Sequence, residues 1–433
     1  MTKDYSKADI ISDFSEHVSS GKATFFKKYG MDFVMGRREG NWLWDINGKK
    51  KLFNLHCNGG VFNLGHRNQE IIDVIKTGLD DIDIGNHHLM SQLRAATAKK
   101  LAKLMPGNLN YTVFGVSGGE AVDLAFKVAR AYLNKTKIIS IKGGYHGHTG
   151  LALAAGDEKY RKPFGPPAPG FVQVPFGNAE ILNREMDNTA AVILETIPAT
   201  LGMVVPSKKY LQEVRAICNH WGAQLILDEV QTGLGRTGKL WAFEHYDIIP
   251  DIVILGKGLS GGIYPITATV IKDELESVFH DDPFIHISTF GGSELGCLAA
   301  NKVLDISSSP DFLKHVNELS DRLGKRLEML TTKHRPFFTG YRQLGLMIGL
   351  TLQDDISGPA LTKAAYDNNL LLVYANNDTS VCQFLPPLTM DIHSIDEVME
   401  ALDKSLTRAK RLRRLLKAKS TLSFLSNKFK AKK

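Results

Sequence analysis

The sequence has no run approaching ~18 consecutive apolar residues, so no segment reads as a membrane-spanning helix. It has four cysteines, Cys57, Cys218, Cys297 and Cys382, far apart and without paired spacing. That argues against a disulfide frame or a zinc site and fits free thiols in a reducing cytoplasm. No ligand set of recognisable spacing accompanies the 14 histidines, His87-His88 included, so no metal site is expected. The opening stretch, MTKDYSKADIISDF, is polar and acidic and lacks the apolar core of a secretory signal. Internal repeats and nucleic-acid modules are absent too. What is present is a globular composition, 43% hydrophobic and 23% charged, which excludes wholesale disorder. At ~150 residues per domain, 433 residues predict two or three domains, or one large α/β body with a smaller lobe.

Charge is unevenly placed. The net charge is +7, yet residues 404–433 hold 12 Lys/Arg and no acid, which leaves the rest with 41 basic and 46 acidic residues. The segment SLTRAKRLRRLLKAK sets Leu406, Leu412, Leu415 and Leu416 near helical spacing. It reads as a helix end running into a solvated tail, with an adhesive arm for anionic surfaces as the sharper alternative.

Along the chain, VMGRREGNWLWDINGKKKLFNL alternates and turns at Asn47-Gly48, a hairpin signal. From about 70 to 330, the apolar runs TVFGV, KIISI, AAVILET, AQLILDEV and DIVILGKG alternate with helical windows such as AVDLAFKVARAYL and KKYLQEVRAICNHWG. This pattern predicts a mostly parallel sheet covered by helices on both faces. YRQLGLMIGLTL and LLLVYA then read as strands of a second α/β lobe, closed by the helix IDEVMEALDKSLTRAKRL. The expected division is an N-terminal arm and part of the small lobe over 1–65, a large domain over 66–330, a small domain over 331–405, and a basic tail over 406–433.

The most informative segment is LILDEVQTGLGRTGKLWAFEHYDIIPDIVILGKGLSGG. Asp228 ends one apolar strand, and Lys257 follows the end of another. In an open α/β sheet, ligands bind beyond the carboxyl ends of the strands. A lysine ending a buried strand costs desolvation. Attaching its amine to an aldehyde cofactor removes that cost. Ser117-Gly118-Gly119 follows TVFGV and opens a helix, where glycines and free N–H groups suit a phosphate.

DEVQTGLGRTG followed by PDIVILGKGLSGG resembles the signature of class III (ornithine/4-aminobutyrate-type) aminotransferases, pyridoxal-phosphate enzymes of fold type I. WDINGKKKLFN, GVFNLGH, SGGEAVDLAFKVAR, YHGHTG, STFGG and FLPPLT extend the resemblance over roughly 35–405. It implies that Lys257 forms the Schiff base with pyridoxal 5'-phosphate and shuttles the proton. It implies that Asp228 pairs with the pyridine nitrogen, making the ring an electron sink. By the same resemblance, Ser117, Gly118 and Gly119 hold the phosphate, and Tyr145 and His146 stack at the ring. Val230 packs under the ring, Gln231 lies near its hydroxyl, and Glu195 is a nearby acid. Ser288 and Thr289 would reach the phosphate of a neighbouring subunit, which implies a homodimer with shared sites.

The sequence departs from the family where carboxylates are bound. Arginine usually supplies that clamp through its planar fork. Here Gln383 sits before Phe384, His148 follows the ring-stacking pair, and Thr200 replaces the gating glutamate. Arg67, Arg37, Arg38 and Arg342 are the candidate substitutes. Two activities follow. One is transamination of a small primary amine or ω-amino acid. The other is a lyase on the same scaffold that expels a leaving group, or ammonia, from a small amino-phosphonate, amino-phosphate or hydroxy-amine. A lyase needs no keto-acid partner.

Overall fold

The computed structural model describes residues 5–84 and 89–430, the side chains of 419–430 excepted. His87-His88 therefore lies outside the described residues. Among those described, no group of three or more His, Cys, Asp or Glu is arranged to hold a metal ion. No described helix is long and apolar enough to cross a membrane. All four cysteines are buried free thiols.

The apolar runs form the centre of a seven-stranded sheet. In spatial order its strands are Tyr111–Gly115, Thr267–Ile271, Ile252–Leu255, Gln224–Asp228, Thr189–Glu195, Lys137–Ile141 and Phe171–Val174. Every residue of Thr189–Glu195 and of Ile252–Leu255 is buried, as continuous apolar strands covered on both faces require. The expected parallel order holds from Phe171–Val174 through to Ile252–Leu255. Thr267–Ile271, TATVI, inserts antiparallel between Ile252–Leu255 and Tyr111–Gly115. Two layers of side chains cover the sheet. The helix Gly118–Leu133 lays Ala121, Val122, Ala125, Phe126 and Val128 on one face and stops at Asn134, whose left-handed φ of 50° ends it.

The smaller lobe draws on both chain ends. The hairpin at Asn47-Gly48 forms, with Gly48 at φ 70° in the turn, and Lys51–Asn54 pairs in parallel with Leu370–Leu371. YRQLGLMIGLTL is two antiparallel strands, Phe338–Leu344 and Met347–Leu352, rather than one, because Gly345 turns the chain at φ 58°. Val381–Phe384 extends that sheet. The expected boundary at 330/331 falls inside the helix Pro310–His334. Its Leu319, Leu323, Leu327 and Leu330 pack with Phe338, Leu350 and Phe384 in the small lobe's core.

The expected 405/406 boundary likewise falls inside a helix. The helix Ser394–Lys430 runs through it with Leu406 and Ala409 fully buried. Leu412 and Leu416 pack on the same core. Arg408 binds Asp367, and Arg413 binds Asp354, whose carboxyl is thereby held down to about 2. The first half of the basic segment is thus docked on the body. Its last part lies beyond the described side chains.

Candidate active site

Three adjacent parallel strands each deliver a titratable group at their carboxyl ends. Glu195 and Asp228 are register partners at the ends of neighbouring strands. Lys257 follows Leu255 and Gly256 on the next strand over. Lys257 has φ 41°, a left-handed conformation that costs a residue with a Cβ on the order of 1 kcal/mol. The turn aims Nζ at Gln231 Oε1, 3.0 Å away.

Asp228 is held from two sides. Its Oδ2 lies 2.9 Å from His146 Nδ1, and its Oδ1 accepts the Val230 amide at 3.1 Å. Both side chains of the His146–Asp228 pair are buried. The neighbouring Glu229 points the other way. Its oxygens accept from Thr196, Thr232 and the amides of Ala242 and Phe243. That knot of four donors fixes the loop after Asp228. Sequence reading passed over Glu229, although an acid directly following Asp228 on a buried strand needs donors of its own.

A cavity of about 370 Å³ opens over these groups. Of the residues singled out from sequence, Ser117, Gly118, Gly119, Tyr145, His146, His148, Glu195, Asp228, Val230, Gln231 and Lys257 line it together. Ser117 caps the helix Gly118–Leu133 by accepting the Glu120 amide. Glycine is required beside that cap: a Cβ at Gly147 (φ 120°) would sit 2.8 Å from the Gly119 Cα. The close approach leaves backbone N–H groups of the helix start at the cavity wall, where they favour an anion. Tyr145, His148 and Tyr160 form an aromatic cluster at one side, with centroids 5.2 and 5.3 Å from His148.

Other expected residues lie elsewhere. Arg67 is exposed with φ 55° and does not line the cavity. Thr200 donates to the Gly143 carbonyl at 2.9 Å and so braces the loop leading to Tyr145. Gln383 is buried in the strand Val381–Phe384 and does not line the cavity. Ser288 and Thr289 do not line the cavity of their own chain. They lie in a segment whose Phe284, Ile285, Ile287 and Phe290 are at least half exposed. Arg342 donates to the Gly202 carbonyl. Arg37 sits over the Trp44 ring, and Arg38 reaches the Gly36 carbonyl.

Burial sets the electrostatics. It pushes the Lys257 amine below its ordinary 10.5, against the pull of Asp228 and Glu195. It pushes Glu195 up to about 7, opposed by His146 and reinforced by Asp228. A buried amine with a depressed pKa is the free base that adds to an aldehyde. The rate at which cofactor-free protein takes up pyridoxal phosphate should therefore rise with pH, with a midpoint below 10.5. Stopped-flow uptake measured across pH checks this, and a midpoint at or above 10.5 would contradict it.

The donor set fits that cofactor. The helix start faces a phosphate, and Tyr145 and Val230 offer flat and apolar faces to a ring. Asp228 offers a carboxylate to a ring nitrogen. The Nε2 atoms of Gln231 and His146 are buried without a partner, as donors or acceptors awaiting one would be.

Comparison with known proteins agrees with this arrangement. The family described as Aminotransferase class-III matches residues 26–406. An uncharacterised aminotransferase of Archaeoglobus fulgidus is 54% identical over 411 residues, 95% of this chain and 96% of that protein. A thermostable (S)-enantioselective omega-transaminase from Thermomicrobium roseum is 27% identical with a TM-score of 0.83, covering 93% of this chain and 98% of that one. The ornithine aminotransferase of Toxoplasma gondii, solved with pyridoxal phosphate at partial occupancy in its active site, shares the fold. Its TM-score is 0.86 at 24% identity, over 95% of this chain and 97% of that one. With a lysine, a carboxylate and a helix start converging on one cavity, and with the family matched over most of its length, the chain belongs to the class III aminotransferases, pyridoxal-phosphate-dependent enzymes of fold type I.

Proposed function

We propose that this aminotransferase removes the amino group of a small primary amine or ω-amino acid, using Lys257 as the cofactor's covalent anchor and proton carrier. The observation that carries the reading is the buried Lys257 amine beside Asp228 at the ends of adjacent strands, within one cavity that begins at a helix N-terminus. When bound, pyridoxal phosphate supplies an aldehyde for amines and a ring that accepts the electron pair left as the substrate's C–H bond breaks.

Every other part of the chemistry belongs to the chain. Lys257 Nζ, its pKa pushed down by burial, takes the proton from the amine-bearing carbon and later returns one. Asp228, clamped by His146 and the Val230 amide, keeps its carboxylate toward the ring nitrogen. Ser117, Gly118 and Gly119 hold the phosphate. Tyr145 and Val230 face the ring, and Gln231 Nε2 has a free donor for the ring hydroxyl. Glu195 holds the Tyr145 amide at 3.0 Å and so sets that aromatic's position.

The homodimer is part of the same reading. The apolar residues flanking Ser288 and Thr289 are half exposed and need cover, and a second copy would bring those hydroxyls to the neighbouring phosphate. A cytoplasmic location rests on the four reduced, buried thiols.

The lyase alternative is favoured by one observation, the neutral Gln383 at the seat of the usual carboxylate clamp. The test is direct. Cofactor-loaded protein is mixed with an amine donor and no keto acid. Transamination stops after about one equivalent of product per site and leaves the cofactor in its amine form. Sustained ammonia release without any acceptor would replace transamination with elimination.

A further inference from the structure

Two loops at the carboxyl ends of the seven-stranded sheet flank the cavity, and one loop of the small lobe holds both. The first follows the strand Lys137–Ile141 and runs through Gly143 to Tyr145. The second follows Thr189–Glu195 and carries Thr200. They press so closely that a Cβ at Gly143, whose φ is 83°, would lie 2.5 Å from Leu201 Cδ1. The small-lobe loop, residues 375–380, joins Val373–Tyr374 to Val381–Phe384. Its own bonds fix its shape. The Ala375 amide donates to the Val381 carbonyl at 2.8 Å, and the Ser380 amide and hydroxyl donate to Asp378 Oδ1 at 3.2 and 2.5 Å.

Half-buried Asn377 stands in the middle of this loop, and all its polar groups face the two loops or their neighbours. Its amide donates to the Thr200 carbonyl at 2.9 Å. Its Nδ2 donates to the Gly143 carbonyl at 2.8 Å, and its Oδ1 accepts the Tyr160 hydroxyl at 3.3 Å. Next to it, the Asn376 carbonyl accepts from Lys159 Nζ at 2.7 Å, and that ammonium also lies 4.8 Å from the Tyr160 ring centroid. Tyr160 packs on His148 and Tyr145, with centroids 5.3 and 6.4 Å away, and those two rings line the cavity. The small lobe thus grips the aromatic wall twice, at the backbone entering Tyr145 and at the outer ring of Tyr160.

We propose that Asn377 is a positioning residue for the reaction: through it the small lobe sets the aromatic wall against the cofactor ring and the amine donor. The proposal rests on the aminotransferase reading and adds the part that decides how well a donor fits. Asn377 does not line the cavity, so it acts through Tyr145 and His148 and not on substrate. Removing its side chain loosens the wall without stranding a buried group. Thr200 still donates to the Gly143 carbonyl, and the backbone bond from residue 377 to Thr200 survives any substitution other than proline.

The test compares cofactor-loaded Asn377→Ala with wild type in two ways. The first is visible circular dichroism of the bound cofactor, which arises because an achiral ring is held by an asymmetric wall and is expected to change. The second is the half-reaction with propylamine, ethanolamine or β-alanine and no keto acid. The KM for the donor is expected to rise about tenfold with kcat changed less than about threefold, because two neutral hydrogen bonds set the wall and neither touches the reacting carbon. Tyr160→Phe keeps the ring and removes only the hydroxyl, so it should reproduce part of both changes. Added to Asn377→Ala, it should raise KM less than about twofold further, because the two side chains share one bond. A lower Tm with an unmoved cofactor spectrum and a KM within about twofold of wild type overturns the proposal and leaves Asn377 a plain tie between lobes. Effects of the two substitutions that multiply in full overturn it as well. If Asn377→Ala does not fold, the spectrum and KM of Tyr160→Phe decide by the same criteria. Wild-type protein that binds cofactor but reacts with none of the donors contradicts the proposed donor class instead, and the circular-dichroism comparison, which needs no turnover, still decides the role of Asn377.

Discussion

Lys257→Ala is expected to lower kcat/KM for amine transfer by at least about a thousandfold, the upper range of what a positioned general base contributes. Two losses combine in that figure. Among the described residues that line the cavity Lys257 carries the only side-chain amine, and burial pushes its pKa down. On the role proposed for it, removing it deletes both the covalent anchor and the group that carries the proton. Borohydride reduction followed by peptide mapping separates the two. Wild-type protein should retain the cofactor on the peptide containing Lys257, and the alanine variant should retain none. Asp228→Ala supplies the contrast. It should still be labelled by borohydride, because the anchor remains, while its rate falls by about a hundredfold or more through loss of the fixed charge at the ring. Retention of label elsewhere in the alanine variant at position 257, with activity preserved, would remove Lys257 from the mechanism.

Arg236→Met should cost stability rather than chemistry. Arg236 is fully buried and is among the largest buried side chains in the protein. Its guanidinium donates to the carbonyls of Leu346 and Pro386 at 3.2 and 2.7 Å, and to Asn63 Oδ1 at 2.6 Å. It therefore ties the loop after Asp228 to the small lobe and to Asn63. Burial pulls its pKa down to about 10, yet it remains charged at neutral pH. A methionine fills similar volume but leaves three buried acceptors without a donor. At about 1–3 kcal/mol for each such group, the loss is on the order of 3 kcal/mol or more. For 433 residues that corresponds to a fall in Tm of roughly 3 °C by calorimetry. Arg236→Lys should recover only part of it, because one ammonium cannot reproduce the planar fork. An unchanged Tm in the methionine variant would show that the three acceptors find other donors.

Much of the site was legible before any fold was known, because it is written in short contiguous stretches. Asp228 and Lys257 each end an apolar run, and Ser117 to Gly119 follows another. Strand ends, glycine turns and helix starts are local signals, so the residues they carry could be named and brought to one end of a sheet. What the sequence did not mark came from packing across the chain. TATVI joined the sheet antiparallel, a choice made by its neighbours on both sides. The helices Pro310–His334 and Ser394–Lys430 crossed two expected boundaries because their leucines follow a single core, which composition does not mark. The basic residues at 408 and 413 looked like a solvated run, yet Asp367 and Asp354 lay within reach in space.

The order of residues by itself determined the chemistry: which amine is buried at a strand end, which acid accompanies it, and where a phosphate would meet free amides. Backbone periodicity and desolvation act over a few residues, and neighbouring letters encode them. Tertiary structure alone decided what stands opposite that amine. Gly59 comes from a distant part of the chain and reaches the Lys257 amine only because a turn held by Asn54 brings it there. Contact between such segments depends on the whole packed core, so no local pattern announces it.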